Sequence, residues 1–126
     1  VSPAVPVRAV RGATTVDADT PDALRERVVE LVETVLARNE LVPDDLISLF
    51  VTATADLHSF HPATAARSCG LSDVAILGAQ ELVIDGGLGR CVRLLAHVET
   101  SRGRDQIRHV FLHGAVALRP DLAERP

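Results

Sequence analysis

Two short stretches limit the fold of this chain more than any other feature. Residues 46–54 and 91–98 are runs of apolar, largely branched side chains, each flanked by turn-forming or polar residues. The first is apolar enough to lie in the middle of a sheet with both faces covered, and the second reads as a buried strand. Yet the second run contains Arg93, with the turn-forming Gly86, Gly87 and Gly89 ahead of it and Glu81 on the approach to that turn. Two readings of the arginine stand open. Its stem packs at a sheet edge while its head reaches water, or the guanidinium is a fixed cation aimed into a pocket that receives an anion, with Glu81 beside it.

A chain of 126 residues has room for one domain with a real core. The formal net charge is −4, and all 13 basic residues are arginine. Every cation is therefore planar, permanently charged and suited to bidentate recognition of carboxylates. No long basic tract occurs, and the phenylalanines do not interleave with arginines, which argues against nucleic-acid binding. Apolar runs fall far short of the roughly 20 residues of a membrane span, and residues 1–6 lack the charged and apolar regions of a signal peptide. A cytoplasmic protein with no membrane partner is expected. Cys69 and Cys91 have no CxxC spacing and read as free thiols, while the five histidines show no metal-ligand spacing. Neither a metal nor another cofactor is expected.

Residues 1–6 read as a flexible tail, 7–122 as a single domain and 123–126 as a second flexible tail. Residues 7–16 are rich in branched side chains and predict a strand, with Gly12 marking a close backbone approach. Arg8 and Arg11, three apart, face opposite sides of it, so that only one of them need be solvated. Thr20, Pro21 and Asp22 form a strong helix start. The helix that follows places Leu24, Val28, Leu31, Val32, Val35 and Leu36 on one face and Arg25, Glu26, Arg27, Glu30, Glu33 and Arg38 on the water side. Asn39 and Glu40 end it, and a turn at 43–45 leads into the 46–54 strand. A loop at 55–61, a short helix opened by Pro62 and running to residue 69, and a strand at 73–79 come next. After the Arg93 strand, a mobile polar loop at 99–105 and two short extended pieces, 106–112 and 115–120, complete the pattern. The order predicts an α+β fold with two helices covering one face of a mixed sheet. So small a domain leaves an edge or a face bare, for which oligomerisation is the usual remedy.

Arg11, Arg67, Arg93 and Arg119 resist assignment to a solvated face, and together they would suit a dianion such as a dicarboxylate. A chemical engine is missing: there is no nucleophile with its base, no phosphate loop and no dinucleotide fingerprint. His58 or His61 could act as a base, although a loop histidine beside Asp56 is more often a hydrogen-bonded loop anchor. An arginine pocket without a nucleophile fits either simple anion binding or a reaction that needs only conformational restraint and electrostatic stabilisation.

Across residues 7–122 the chain resembles the monofunctional, trimeric α/β class of chorismate mutase. The likeness is carried by residues 10–16 with Arg11, Asp56 to His58, Pro62 and Ala63 with Arg67, Glu81, Gly86 to Leu88 with Cys91 to Arg93, residues 105–110, and residues 115–122. The resemblance implies ferredoxin-like subunits with a mixed sheet and two helices, assembled as a homotrimeric pseudo-α/β-barrel with active sites between neighbouring subunits. It implies an isomerase that converts chorismate to prephenate by an intramolecular Claisen rearrangement, without cofactor or metal, in aromatic amino acid biosynthesis on the shikimate pathway. Arg93 would meet the ether oxygen, Glu81 the ring hydroxyl, and Arg11 a substrate carboxylate. Arg67, His61, Ala63, Thr64, Ile76, Leu77, Gly78, Phe111, Leu118 and Arg119 would line the substrate, Arg67 from the adjacent subunit.

Four positions depart from that family's usual pattern. His61 stands in place of phenylalanine, Thr64 in place of a lysine that some members carry, Gly78 in place of a polar side chain, and Phe111 in place of tyrosine. These departures keep two alternatives open: a mutase or lyase acting on another chorismate-like dicarboxylate, and a non-catalytic trimer that binds an anionic metabolite. Retention of Glu81 beside Arg93 argues against the last, since an anion binder needs no carboxylate there.

Overall fold

The computed structural model describes residues 4–119. Strand β1 (Val7–Thr15) leads to helix α1 (Pro21–Arg38), and a 3₁₀ turn at Pro43–Asp45 precedes β2 (Leu46–Ala53). Helix α2 (Pro62–Arg67), β3 (Ala75–Gln80), β4 (Cys91–Glu99) and the two-residue β5 (Val110–Phe111) follow, with 3₁₀ turns at Arg104–Gln106 and His113–Leu118. The strands form one mixed sheet in the order β3-β2-β4-β1-β5. Strand β4 runs antiparallel to both of its neighbours, β1 and β2, so β1-α1-β2 is a split unit with β4 inserted in its middle. The segment 123–126, expected to be a tail, and the end of the expected domain at 120–122 lie outside the described residues.

Helix α1 begins as its sequence dictates. The Thr20 hydroxyl accepts the Ala23 N–H at 3.2 Å, Pro21 opens the first turn, and Asp22 and Arg38 sit at the ends of the dipole that favour them. Leu24, Val28, Leu31, Val32 and Val35 are buried against Val10, Leu94, Val98 and Val110 in one core. Arg27 is the exception to the expected water face. Its guanidinium donates to the Thr15 carbonyl at 2.7 Å and to Asp17 at 2.8 Å, tying the helix to the end of β1. Position 12 is a close approach, as a Cβ there would stand 3.1 Å from Leu94 and 3.2 Å from Leu31, and either side chain would have to give way.

Both helices lie on one face of the sheet, and α2 adds Ala63, Ala65 and Ala66 to that side. The expectation that β2 is covered on both faces is therefore corrected for a single chain: β2 is interior to the sheet, but its Phe50 is 41% exposed on the bare face, as is Leu77 of β3 at 60%. Only the β1 end of that face is roofed, by residues 113–118. Residues 115–118, expected to belong to an extended piece, are instead part of this 3₁₀ turn, because Gly114 N–H is captured by the Thr15 hydroxyl and Ala115 N–H by the Leu112 carbonyl. The turn buries Ala115 against Ala13 and Phe111, with Leu118 alongside. Helix α2 stops at Arg67, two residues earlier than expected, where the Gly70 turn at φ +84° begins the reversal. The polar 99–105 loop, expected to be mobile, is bonded at several points. Thr100 N–H reaches the Pro6 carbonyl, and Arg102 spans the Arg38 and Gln106 carbonyls.

Gly12→Ala is expected to overpack the contact between β1, α1 and β4 and to lower stability by about 1–3 kcal/mol. Urea unfolding against the parent protein measures it, and an unchanged midpoint would show that Leu31 and Leu94 have room to move.

Candidate functional site

The register of the sheet brings the central groups together. Arg93 of β4 stands opposite Ala13 of β1 and Thr52 of β2, so it points to the bare face that carries no helix. Arg11 pairs with Leu95, one diagonal step away on that same face. Glu81 follows directly on β3, where its N–H donates to the Ala53 carbonyl at 2.9 Å. The Thr52 hydroxyl donates to Glu81 Oε1 at 2.5 Å, and the same carboxylate oxygen lies 3.4 Å from Arg93 Nε. This is an ion pair at the long end of its range and not an aligned hydrogen bond, since Arg93 Nε is buried with no hydrogen-bond acceptor. Strand β4 is interior to the sheet, so the sheet-edge reading of Arg93 fails. Its side chain borders a cleft of about 440 Å³ walled by Glu81, the 54–56 turn and the 82–89 loop.

A knot of short contacts fixes that cleft. Thr54 N–H donates to the Cys91 carbonyl, and Cys91 N–H returns to the Thr54 hydroxyl, each at 3.0 Å. Both Asp56 oxygens accept the Arg90 N–H, at 3.1 and 2.9 Å, and the Thr54 hydroxyl donates to Asp56 Oδ1 at 2.5 Å. The Thr54 hydroxyl, outweighing the effect of partial burial and helped by the Arg90 N–H, holds the Asp56 carboxyl below the usual carboxylate range. A Cβ on Gly89 would stand 2.9 Å from the Asp56 carboxylate and would push it from its place on Arg90. Burial pushes the Cys91 thiol up against the opposing pull of Arg93, which keeps it protonated and inert at neutral pH.

The remaining candidates fall in separate places. Phe111 is packed beneath Arg11, whose guanidinium carbon lies 5.9 Å from the ring centre, and Leu118 borders the same small cluster. His61, Ala63 and Gly78 meet in a second cavity of about 570 Å³ beside α2, where a Cβ on residue 78 would lie 3.1 Å from the His61 ring. Ile76 packs into the helix-side core, whereas Leu77 faces the bare side. Thr64 and Arg67 are exposed on α2, on the helix-covered side, and the fold of one chain does not bring Arg67 to Arg93. Of the four arginines expected to cluster, Arg11 and Arg93 share the bare face and Arg67 does not; Arg119 closes the described residues beyond Leu118. His58 is anchored by Asp19 and not by Asp56, with Nε2 3.2 Å from the Asp19 carboxylate, which also accepts the His58 and Ser59 N–H groups.

Two contributors were not visible in the sequence. Thr52 orients Glu81 through a register that no local pattern reveals, and Asn39, read only as a helix end, is a buried bridge to residue 108. Among the described residues no group of three or more His, Cys, Asp or Glu side chains is placed to hold a metal ion, and no helix is long and apolar enough to cross a membrane.

A mixed sheet with both helices on one face, and with a half-buried arginine and carboxylate side by side on the other, defines an α+β domain with a charged cleft at the sheet's end. Its relatives have the same form. The family model for chorismate mutase type I matches residues 7–122. The chain is 40% identical over 118 residues to the chorismate mutase AroH of Bacillus subtilis (strain 168), covering 93% of each chain. It is 43% identical over 117 residues to that of Thermus thermophilus, covering 92% of this chain and 96% of the relative. A solved chorismate mutase from Clostridium thermocellum superposes with a TM-score of 0.85 at 37% identity, over 87% of this chain and 98% of that one. The chain belongs to the chorismate mutase type I family.

Because the folded Asp56 is more acidic than an unfolded aspartate, whose pKa is about 3.9, its contribution to stability is present above that pKa. It is lost as pH falls through the lower folded value. Asp56→Asn is expected to lower the melting temperature at pH 7 and to leave a smaller difference from the parent near pH 2–3. A difference that is constant with pH would remove the carboxylate from this role.

Proposed function

We propose that this protein is a chorismate mutase, an isomerase that converts chorismate to prephenate by an intramolecular Claisen rearrangement. One carbon–oxygen bond breaks and one carbon–carbon bond forms within a single molecule, so no proton, electron or co-reactant is exchanged. What the site must supply is restraint of the substrate in the conformer that brings its reacting carbons together, and a cation for the ether oxygen as that atom gains charge. The observation that carries the reading is the buried, unsatisfied Nε of Arg93 at the cleft wall. It is a fixed donor without a ground-state acceptor, the form of stabilisation that favours a transition state.

In this reading Arg93 donates to the ether oxygen, Glu81 accepts from the ring hydroxyl and Arg11 holds a carboxylate. The hydrogen bond from Thr52 aims the Glu81 carboxylate while leaving Arg93 uncommitted. The active form is a homotrimer of ferredoxin-like subunits closed into a pseudo-α/β-barrel, acting in the cytoplasm. Two features support the assembly. Phe50 and Leu77 stay exposed on the bare face, and Thr64 and Arg67 lie on the opposite, helix-covered side from Arg93. A neighbouring copy supplies its α2 side, with His61, Ala63, Thr64 and Arg67, to the cleft of the next, while Ile76, Leu77, Gly78, Phe111, Leu118 and Arg119 complete the substrate's surroundings.

Purified protein is expected to consume chorismate, read by loss of its absorbance, and to give prephenate, read as phenylpyruvate after acid treatment. Arg93→Ala is expected to lower kcat by at least about 10²–10³, or roughly 3–4 kcal/mol. Lysine at that position would keep the charge without the planar fork and recover only part of the rate. Consumption of chorismate to a different product, or full activity in the alanine variant, would overturn the assignment.

A further inference from the structure

We propose that His109 is a positioning residue for Arg11, and that residues 109–111 form a clamp fixing that arginine from both ends. The inference rests on the assignment of Arg11 to a substrate carboxylate. Strand β5 pairs with β1 only at Gly12↔Val110 and Ala13↔Phe111. One residue earlier the ladder is continued by a side chain: His109 Nδ1 accepts the backbone N–H of Arg11 at 2.9 Å. A ring nitrogen that accepts carries no proton, so the imidazole is in the neutral form protonated on Nε2. At the far end of the same arginine, the guanidinium lies over the Phe111 ring. Backbone and head of Arg11 are thus both held by one three-residue segment.

That segment is anchored in turn. Asn39 is 1% exposed, and its amide accepts the Arg108 N–H at 2.7 Å and donates to the Arg108 carbonyl at 2.9 Å. The same amide nitrogen donates to the Val35 carbonyl at 2.9 Å, which locks it to the last turn of α1. Rigidity therefore passes from the end of α1 to residue 108 through Asn39, and from residue 109 to Arg11 through the imidazole. An arginine has several soft torsions, so a carboxylate is held in register only if the backbone beneath it and the stem above it are both restrained. A displacement of about 1 Å in such a group is enough to cost up to about 10²-fold. The Arg11 N–H lies on the outer edge of β1, beyond the reach of β5, and without the imidazole it would lose the acceptor that completes the edge.

The test measures KM and kcat on chorismate for His109→Leu, His109→Asn, Arg11→Ala and the double variant of His109→Leu with Arg11→Ala. Asparagine places Oδ1 where Nδ1 lies and keeps the acceptor; leucine keeps bulk and loses it. His109→Leu is expected to raise KM about tenfold with kcat within about threefold of the parent, as for the loss of one hydrogen bond that acts through binding. His109→Asn is expected to stay within about threefold of the parent KM, and the leucine change is expected to add nothing once Arg11 is alanine. If the leucine variant folds poorly, His109→Asn against His109→Gln gives the same reading, because the longer amide does not reach; equal KM values for those two would overturn the clamp. A parental KM in His109→Leu beside a raised KM in Arg11→Ala would overturn the clamp alone, as would further damage in the double variant. A parental KM in Arg11→Ala would overturn the assignment of Arg11 and the clamp with it.

Discussion

A guanidinium can sit at the middle of a five-stranded sheet only if one face of that sheet is left open. Arg93 lies between Ala13 and Thr52 on the interior strand β4. On the helix side it would stand among Val92, Leu94 and Leu49, where an unpaired charge costs many kcal/mol. Placing α1 and α2 together on one face solves this, because the arginine then projects into a half-open cleft with Glu81 in reach. The cost of the solution is the bare apolar surface at Phe50 and Leu77. The open cleft at Arg93 and the bare apolar surface are thus one consequence of the same layer arrangement.

Glu81 does not cancel Arg93, and the hydrogen-bond pattern shows why. Its Oε1 is taken by the Thr52 hydroxyl at 2.5 Å and stands 3.4 Å from Arg93 Nε. A bidentate pair would have committed Nε and one terminal nitrogen to Glu81 and taken that edge of the guanidinium from a ligand. The longer contact keeps the charges close enough to restrain each other while a buried N–H stays uncommitted. Such preorganisation is expensive in the resting protein, and it is sustained here by neighbours that are themselves satisfied: Thr52 to Glu81, Thr54 to Cys91, Asp56 to Arg90.

What could be read from the sequence was what depends on neighbours in the chain. The cap at Thr20, the amphipathic face of α1 and the glycine turn before β4 are all local, and each took the expected form. Errors arose where distant partners decide. Arg27 was read as solvated because its helical position is polar, but the end of β1 at Thr15 and Asp17 captures it. Residues 115–118 look extended by composition and are turned by the Thr15 hydroxyl, about a hundred positions earlier. Of the candidate site, Arg93 stood out in the sequence, since a charge in an apolar run is visible by itself. Thr52 and Asn39 did not, because an ordinary polar residue acquires a role only through strand register and packing.

The geometry between Glu81 and Arg93 does not come from the loop that connects them. Residues 82–84 are 66–84% exposed in one chain, and their side chains add little to the core. The two ends of the loop are instead set separately against β2: Glu81 N–H on the Ala53 carbonyl, Arg90 on Asp56, and Cys91 on Thr54. Strand β2 therefore acts as the template on which carboxylate and guanidinium are spaced, and its position next to β4 is fixed by six successive register pairs from Ser48↔His97 to Ala53↔Val92. It follows that the length and composition of residues 82–88 can vary with little effect on the pair, whereas a register slip of β2 by a single residue would turn Thr52 to the helix side and separate all three groups at once.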